Sequence, residues 1–258
     1  MKFIKNKYLF FELIKIEFTQ IYKRSFIGVA WILFLPLIQS IIWIFLQKSG
    51  LLNPGQLDIN YTAYILIGTL LWQLYAQSYD LLGNSISSSI RLHTQGFLPV
   101  LTVITAKFVL ILVRFFISGF INMMIIAIFL DVSLNIGTFL ISTIPLAMLC
   151  FSIGIFISMI EVVSEDVYIL GKEFNKVLLF LTPIIYSPKF DSAIVHTIIK
   201  FNPLTYLIGV PRDLLLTGTS SVSLSTFSSI TGIVIILFVI NLFVYNKRVR
   251  ILIEKLIE

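Results

Sequence analysis

The sequence predicts an all-α polytopic membrane protein built as one domain, and three observations predict it. Hydrophobic residues make up 58% of the 258 residues and charged residues only 12%, against about 25% charged in an ordinary soluble domain. The apolar residues gather in long unbroken runs of roughly the 20 residues that a helix needs to cross a bilayer; a β-barrel would show short alternating segments instead. Lys and Arg fall mostly in alternate connections between those runs, the bias that orients spans.

Residues 1–25 are basic and amphipathic. Leu9, Phe10, Leu13, Ile14, Ile16 and Phe18 supply an apolar side, and Glu12, Lys15 and Thr19 a polar face at helical spacing. That pattern suits an N-terminal helix lying in the membrane interface. The run that follows is too long for a signal peptide and has no small-residue cleavage pattern. Six spans are expected, at about 26–47, 61–82, within 99–130, 137–160, 167–187 and 224–245. The third run exceeds the bilayer, so it tilts or projects.

With both termini cytoplasmic, the inner segments carry Lys2, Lys5, Lys7, Lys15, Lys23, Arg24, Arg91, Lys172, Lys176, Lys247, Arg248, Arg250 and Lys255. The outer ones carry only Lys48, Lys189, Lys200 and Arg212, while Lys107 and Arg114 sit inside the third span. Thirteen against four puts both termini in the cytoplasm.

Segment 182–222 is broken by Pro183, Pro188, Pro203 and Pro211, yet it is too apolar for a free loop. Non-helical backbone at membrane depth has to be buried in protein or line a wet cavity. Two short re-entrant helices on the outer side are therefore expected across 188–218. They should break at Asn202-Pro203, where Asn caps a helix and Pro starts one.

Polar residues are costly inside a span. Thr69, Gln73, Gln77 and Asp80 share one face of the second span, and Lys107, Arg114, Ser118 and Asn122 one face of the third. The two spans run antiparallel around a connection centred near His93, which sets Asp80 level with Lys107 and Gln73 level with Arg114. These stripes either lock the helices together or line a substrate path. Cys150 stands alone inside an apolar run, and His93 and His196 are far apart, so neither a disulfide nor a metal site is indicated. There is no G-x-x-x-x-G-K-[ST] phosphate loop, and no D-D-x-x-D or D-x-D cluster of the kind a membrane transferase uses to hold a metal diphosphate.

Four stretches in order carry a family resemblance. They are YKRSFIGVAWILFLPLIQSIIW (22–43), with Gly28, Trp31 and Pro36-Leu37; LIGTLLWQLYAQS (66–78), with Gly68 and Trp72; GFLPVLTVITA (96–106); and LTPIIYSP with FNPLTYLIGVPRDLLLTG, holding Thr182-Pro183, Asn202-Pro203 and Arg212. Together they make the chain resemble the permease subunits of type-2 ABC exporters, in the branch that exports polysaccharides and polyol phosphates such as O-antigen, capsule or teichoic acid. Two departures stand at the cytoplasmic face: Glu165-Asp166 where the family often has Arg-Asp, and Pro99 one residue late.

The resemblance implies that residues 1–258 form a single type-2 ABC transporter transmembrane domain in the bacterial plasma membrane. It implies no enzyme activity and no cofactor on this chain. ATP and Mg would sit on a separate ABC ATPase subunit, present in two copies beside two copies of this chain. That ATPase would push on 84–97 and on the helix before Ser25. The cargo would be a lipid-linked glycan or polyol phosphate, and nucleic acid is no partner.

Sugar rings stack on aromatic faces, so Tyr61, Tyr64, Trp72, Tyr75 and Tyr186, with Gln73 and Arg114, are candidates for the path. The plainer reading puts such aromatics in lipid-facing or interfacial positions. Lys23, Arg24 and Arg91 are candidates to receive the lipid phosphate at entry, or to bind membrane lipid. Asn202, Pro203 and Arg212 are candidates for an outer gate; Arg212 either bonds carbonyls at a half-helix end or touches the exiting polymer. An ABC permease for a small drug or lipid would share the fold.

Overall fold

The computed structural model describes residues 7–22, 26, 28–51, 55, 57, 59–89, 100–130, 132–188 and 193–257. Every regular element among them is helical: α1 (Lys7–Tyr22), a 3-10 turn at Gly28–Ala30, α2 (Trp31–Lys48), α3 (Tyr61–Gly83), α4 (Ser85–Ser88), α5 (Val100–Phe129), α6 (Ile136–Val163), α7 (Glu165–Leu181), α8 (Ala193–Phe201), α9 (Pro203–Thr217) and α10 (Leu224–Ile257). A helix thus occupies each of the six apolar runs. By length and composition, Val100–Phe129, Ile136–Val163 and Leu224–Val249 can each cross a membrane.

α3 is the central post. It packs against α2, α5, α6, α7 and α9, and Ala63, Ile65, Ile67 and Leu71 have no exposed surface. Its start is fixed by Asn60, whose side chain accepts from the Thr62 amide at 2.9 Å, satisfying one of the donors that a helix start leaves open. Hydroxyls within the bundle turn back on their own helices: Thr69 donates to Ile65 O at 2.6 Å and Ser78 to Leu74 O at 2.7 Å. The polar stripe of α5 works between helices, with Ser118 donating to Ile32 O at 2.8 Å and Asn122 to Leu66 O at 3.3 Å. Those two bonds fasten α5 to α2 and α3.

The outer helices show the opposite distribution. α10 leans on α6 and α9 and exposes Ile233, Ile236, Val239, Ile240 and Phe243. Asn241 tethers it by donating to Ser152 Oγ at 2.6 Å. α1 rests against α5: Leu13 packs with Val103 and Ala106, flanked by Phe10 and Ile14, while Phe11, Lys15, Ile16 and Thr19 are exposed.

Two boundaries differ from expectation. α7 stops at Leu181, six residues short of 187, because Thr182 precedes Pro183 and is extended at φ −110° and ψ 132°; the residue before a proline is pushed out of the helical region. α10 runs on to Ile257 because nothing after its apolar stretch breaks the helix. The break at Asn202-Pro203 falls where it was expected. Pro211 lies within α9, which ends at Gly218 in the left-handed region, φ 74°, a conformation glycine adopts without penalty.

α6 lies tight against α3 at Gly154, where an added Cβ would lie 2.4 Å from Leu82 Cδ1 and 2.6 Å from Leu82 Cβ. Gly154→Ala is therefore expected to cost about 1–3 kcal/mol by overpacking, whereas Gly232→Ala, inside α10 with nothing within 4 Å, causes no loss and gains up to about 1 kcal/mol of helix propensity. Cys150 is the single cysteine and has no exposed surface, so a thiol-reactive dye reads unfolding directly. Equal melting of the two variants would refute the close approach.

Candidate functional site

A helix leaves its last four carbonyls without intrahelical donors. α7 ends inside the bundle, where Thr182, Pro183, Ile184 and Ile185 are buried, so those carbonyls and the turn that follows need side-chain donors. Asn202 Nδ2 donates to Leu181 O at 3.2 Å and to Thr182 Oγ1 at 2.8 Å, while its Oδ1 accepts from the Leu204 amide at 3.0 Å. One side chain therefore ends α7 and starts α9. Tyr64 Oη lies 3.0 Å from Pro183 O and 2.8 Å from Tyr186 O. Tyr61 Oη donates to Ile185 O at 3.2 Å, and Tyr186 Oη reaches back to Phe180 O at 2.8 Å.

Arg212 sits at the middle, with no exposed surface. Its Nη1 donates to Pro183 O at 2.9 Å and its Nε to Asp213 Oδ1 at 3.0 Å. Its guanidinium carbon lies 3.6 Å over the Tyr64 ring, a cation–π contact that gains strength out of water. Asp213 Oδ2 accepts from the Ser221 amide at 2.9 Å and from Ser221 Oγ. A polar chain thus runs from α3 through α9 to the turn before α10. Gly68 lets the 182–186 segment lie directly on α3: a Cβ there would be 3.2 Å from Ile184 O and 3.7 Å from Arg212 Nη1.

Five of the residues singled out in the sequence, Tyr61, Tyr64, Tyr186, Asn202 and Arg212, therefore meet at one place as hydrogen-bond donors. Pro203 is the exposed first residue of α9. Trp72 and Tyr75 lie farther along α3, both buried, with ring centroids 5.2 Å apart, and Tyr75 Oη donates to Asn175 Oδ1 at 3.1 Å. Gln73 on α3 and Arg114 on α5 are half-buried. Lys23, Arg24, Arg91 and His93, and most of segment 84–97, lie outside the described residues.

The α3–α7 seam was not foreseen. Asp80 pairs with Lys172 at 3.3 Å, and Lys107 donates to Ser88 Oγ at 2.9 Å, so the expected Asp80–Lys107 partnership is replaced by two others. α7 lies against α3 and takes up Asp80 there. Tyr79 and Tyr168 stack with centroids 5.9 Å apart, and Tyr168 Oη donates to Asp80 O at 3.1 Å. Beyond this seam α7 exposes Glu173 and Lys176, paired at 2.6 Å, next to the exposed Leu170, Phe174, Val177 and Phe180. Among the described residues no group of three His, Cys, Asp or Glu is arranged to hold a metal.

Long apolar helices on the outside, with polar side chains turned inward onto backbone, define a multi-pass membrane protein. The chain belongs to the ABC-2 type transporter family, whose model matches residues 8–216, from α1 to the last turn of α9. It is a membrane transport subunit rather than an enzyme, and permeases of this family pair with ATPase subunits. It is similar to the O-antigen export system permease protein RfbA of Klebsiella pneumoniae, 25% identical over 237 residues that make up 88% of this chain and 86% of that protein.

Removing one partner of a buried ion pair leaves the other charge stranded, so Arg212→Met is expected to cost about 3–5 kcal/mol. Tyr64→Phe, which loses one hydrogen bond and keeps the ring under the guanidinium, should cost about 1–2 kcal/mol. The double variant Arg212→Met/Asp213→Asn should be less destabilised than the sum of its singles. Additive losses in dye-monitored melting would show that the pair is not coupled.

Proposed function

We propose that this chain is the transmembrane subunit of an ATP-driven exporter. It moves a lipid-linked polysaccharide or polyol phosphate polymer from the cytoplasmic to the outer side of the bacterial plasma membrane. The observation that carries this reading is the similarity to an O-antigen export permease over 88% of this chain and 86% of that protein. In this reading α2, α3, α5, α6, α7 and α10 are six spans with both termini cytoplasmic. α8 and α9, about 14 and 22 Å long at 1.5 Å per residue, are each too short for a hydrocarbon core of about 30 Å. They re-enter from the outer side as a gate that Asn202, Pro203 and Arg212 hold in shape.

Two copies of the chain work with two copies of an ATPase subunit that holds ATP and Mg. The path follows α7. Its exposed Lys172, Glu173 and Lys176 support this: the two lysines counted with the inner segments fall within α7, and charged side chains along a span need water or a partner. Gln73, Arg114 and Tyr186 remain candidates for its wall, while Tyr61, Tyr64, Trp72 and Tyr75 form the scaffold behind it. Lys23, Arg24 and Arg91 receive the lipid phosphate at the inner face. The ATPase stroke arrives at α4, which is tied to α5 by Lys107–Ser88 and to α6 by Ser87 donating to Glu161.

Reconstituted alone in liposomes, the chain should neither hydrolyse ATP nor export glycan. With its co-purified ATPase it should export a lipid-linked glycan. Hydrolysis by the pure chain would overturn the partnership, and export of small drugs with no glycan movement would overturn the cargo.

Topology is open to cysteine labelling, since the native Cys150 is buried. Cysteines placed at positions 2 and 255 should label from the cytoplasmic side, and one at position 190 from the outside. Cytoplasmic labelling of position 190 would reverse the assignment of the gate.

A further inference from the structure

Between the end of α6, the start of α7 and α10 lies a groove of about 520 Å³. Phe156, Met159, Ile160, Val163, Val244 and Ile251 line it, and Arg248 is the one charged side chain on its wall among the described residues. α6 ends at Val163 and the apolar stretch of α10 gives way at Asn246-Lys247-Arg248, so the groove lies where two membrane helices leave the hydrocarbon together. From Val244 to Leu252 it follows α10 for about 12 Å, with Arg248 midway along, so the half of the groove at Val244 lies on the hydrocarbon side of the guanidinium.

An apolar half-groove closed on its inner side by a guanidinium matches the two halves of a phospholipid. The hydrocarbon side chains take an acyl chain, and an exposed Arg248 snorkels to the headgroup level to bind phosphate through two parallel N–H bonds. Ser164 adds a hydroxyl at the same end. Glu165 and Asp166 follow Ser164 of the groove wall at the start of α7, so two acidic residues adjoin the site in the chain and disfavour a headgroup with an extra negative charge.

We propose that this groove is a phospholipid site, in which one acyl chain lies along Phe156, Met159, Ile160 and Val244 while Arg248 binds the phosphate of a zwitterionic headgroup. The site touches α7 only in its first turn, through Val167, and is tested independently of the cargo. The test reconstitutes the full chain into bilayers of equal parts phosphatidylethanolamine and phosphatidylglycerol, extracts it in mild detergent and weighs it by native mass spectrometry. One phosphatidylethanolamine per chain should be retained. Arg248→Gln and Ile160→Trp should each lower the retained fraction about ten-fold, the loss of one charge-assisted contact or of the slot itself. Val239→Trp, on the exposed face of the same helix, should leave retention unchanged. Absence of the adduct, preference for phosphatidylglycerol, or undiminished retention in Arg248→Gln would overturn the proposal. Arg248→Gln decides alone if Ile160→Trp fails to protect Cys150 from the dye.

Discussion

The fold turns on how α7 is allowed to stop where water cannot reach its last carbonyls. The bond from Arg212 to Pro183 O at 2.9 Å is the centre of the solution. A stranded carbonyl costs about 1–3 kcal/mol, and a buried guanidinium costs several more unless it is paired and hydrogen-bonded; Arg212 is bonded through Nε and Nη1, and its Nη2 has no hydrogen-bond partner. Each group is the other's remedy: the turn supplies an acceptor, Asp213 the countercharge, and Tyr64 both a ring face for the cation and a hydroxyl for the same carbonyl. Such a network stands or falls as a unit. It also fixes where α8 and α9 go, because Asn202 holds the end of α7 with one atom and the start of α9 with another.

The rest of the bundle arranges itself around α3. In a soluble protein the most buried helix is the most apolar. Here α3 is buried on nearly every side, yet it carries Thr69, Gln73, Gln77, Ser78 and Asp80. α10 has the highest hydropathy among the membrane-length helices and little of it is buried. Lipid is as apolar as any core, so apolar surface has no reason to turn inward. Close packing at Gly154 and hydrogen bonds at Ser118 and Asn122 provide the cohesion instead.

Much of this was legible in the sequence. The six apolar runs coincide with helices because run length in a membrane protein reports directly on what must be covered. The break at Asn202-Pro203 was legible because a capping residue followed by proline states its own geometry. The roles of the tyrosines were not. Tyr64 and Tyr61 read as aromatic faces for a sugar, whereas their hydroxyls are spent on carbonyls more than a hundred residues away. Nothing in the local pattern tells an aromatic that offers its face from one that offers its proton. The Asp80–Lys172 pair was missed for a related reason: helical periodicity says which residues share a face, but not which neighbour that face meets. The one available hint was Lys172 itself, a charge within a run otherwise fit for lipid.

The clamp has a consequence for how the chain is made. Pro183 emerges from the ribosome 29 residues before Arg212, and Asp213 is in turn completed by Ser221. The turn after α7 therefore emerges before Arg212 and Asn202, with only its own hydroxyls and the donors on α3 to meet its carbonyls. Tyr61 and Tyr64 are already in place and can hold the segment provisionally. Final seating has to wait for the whole of α9 and the turn beyond it. Seating of this region thus lags behind its order in the chain, even though the protein is threaded in order. A chain that exposed 182–186 without α9 would leave the half-built turn in contact with lipid rather than with its own donors.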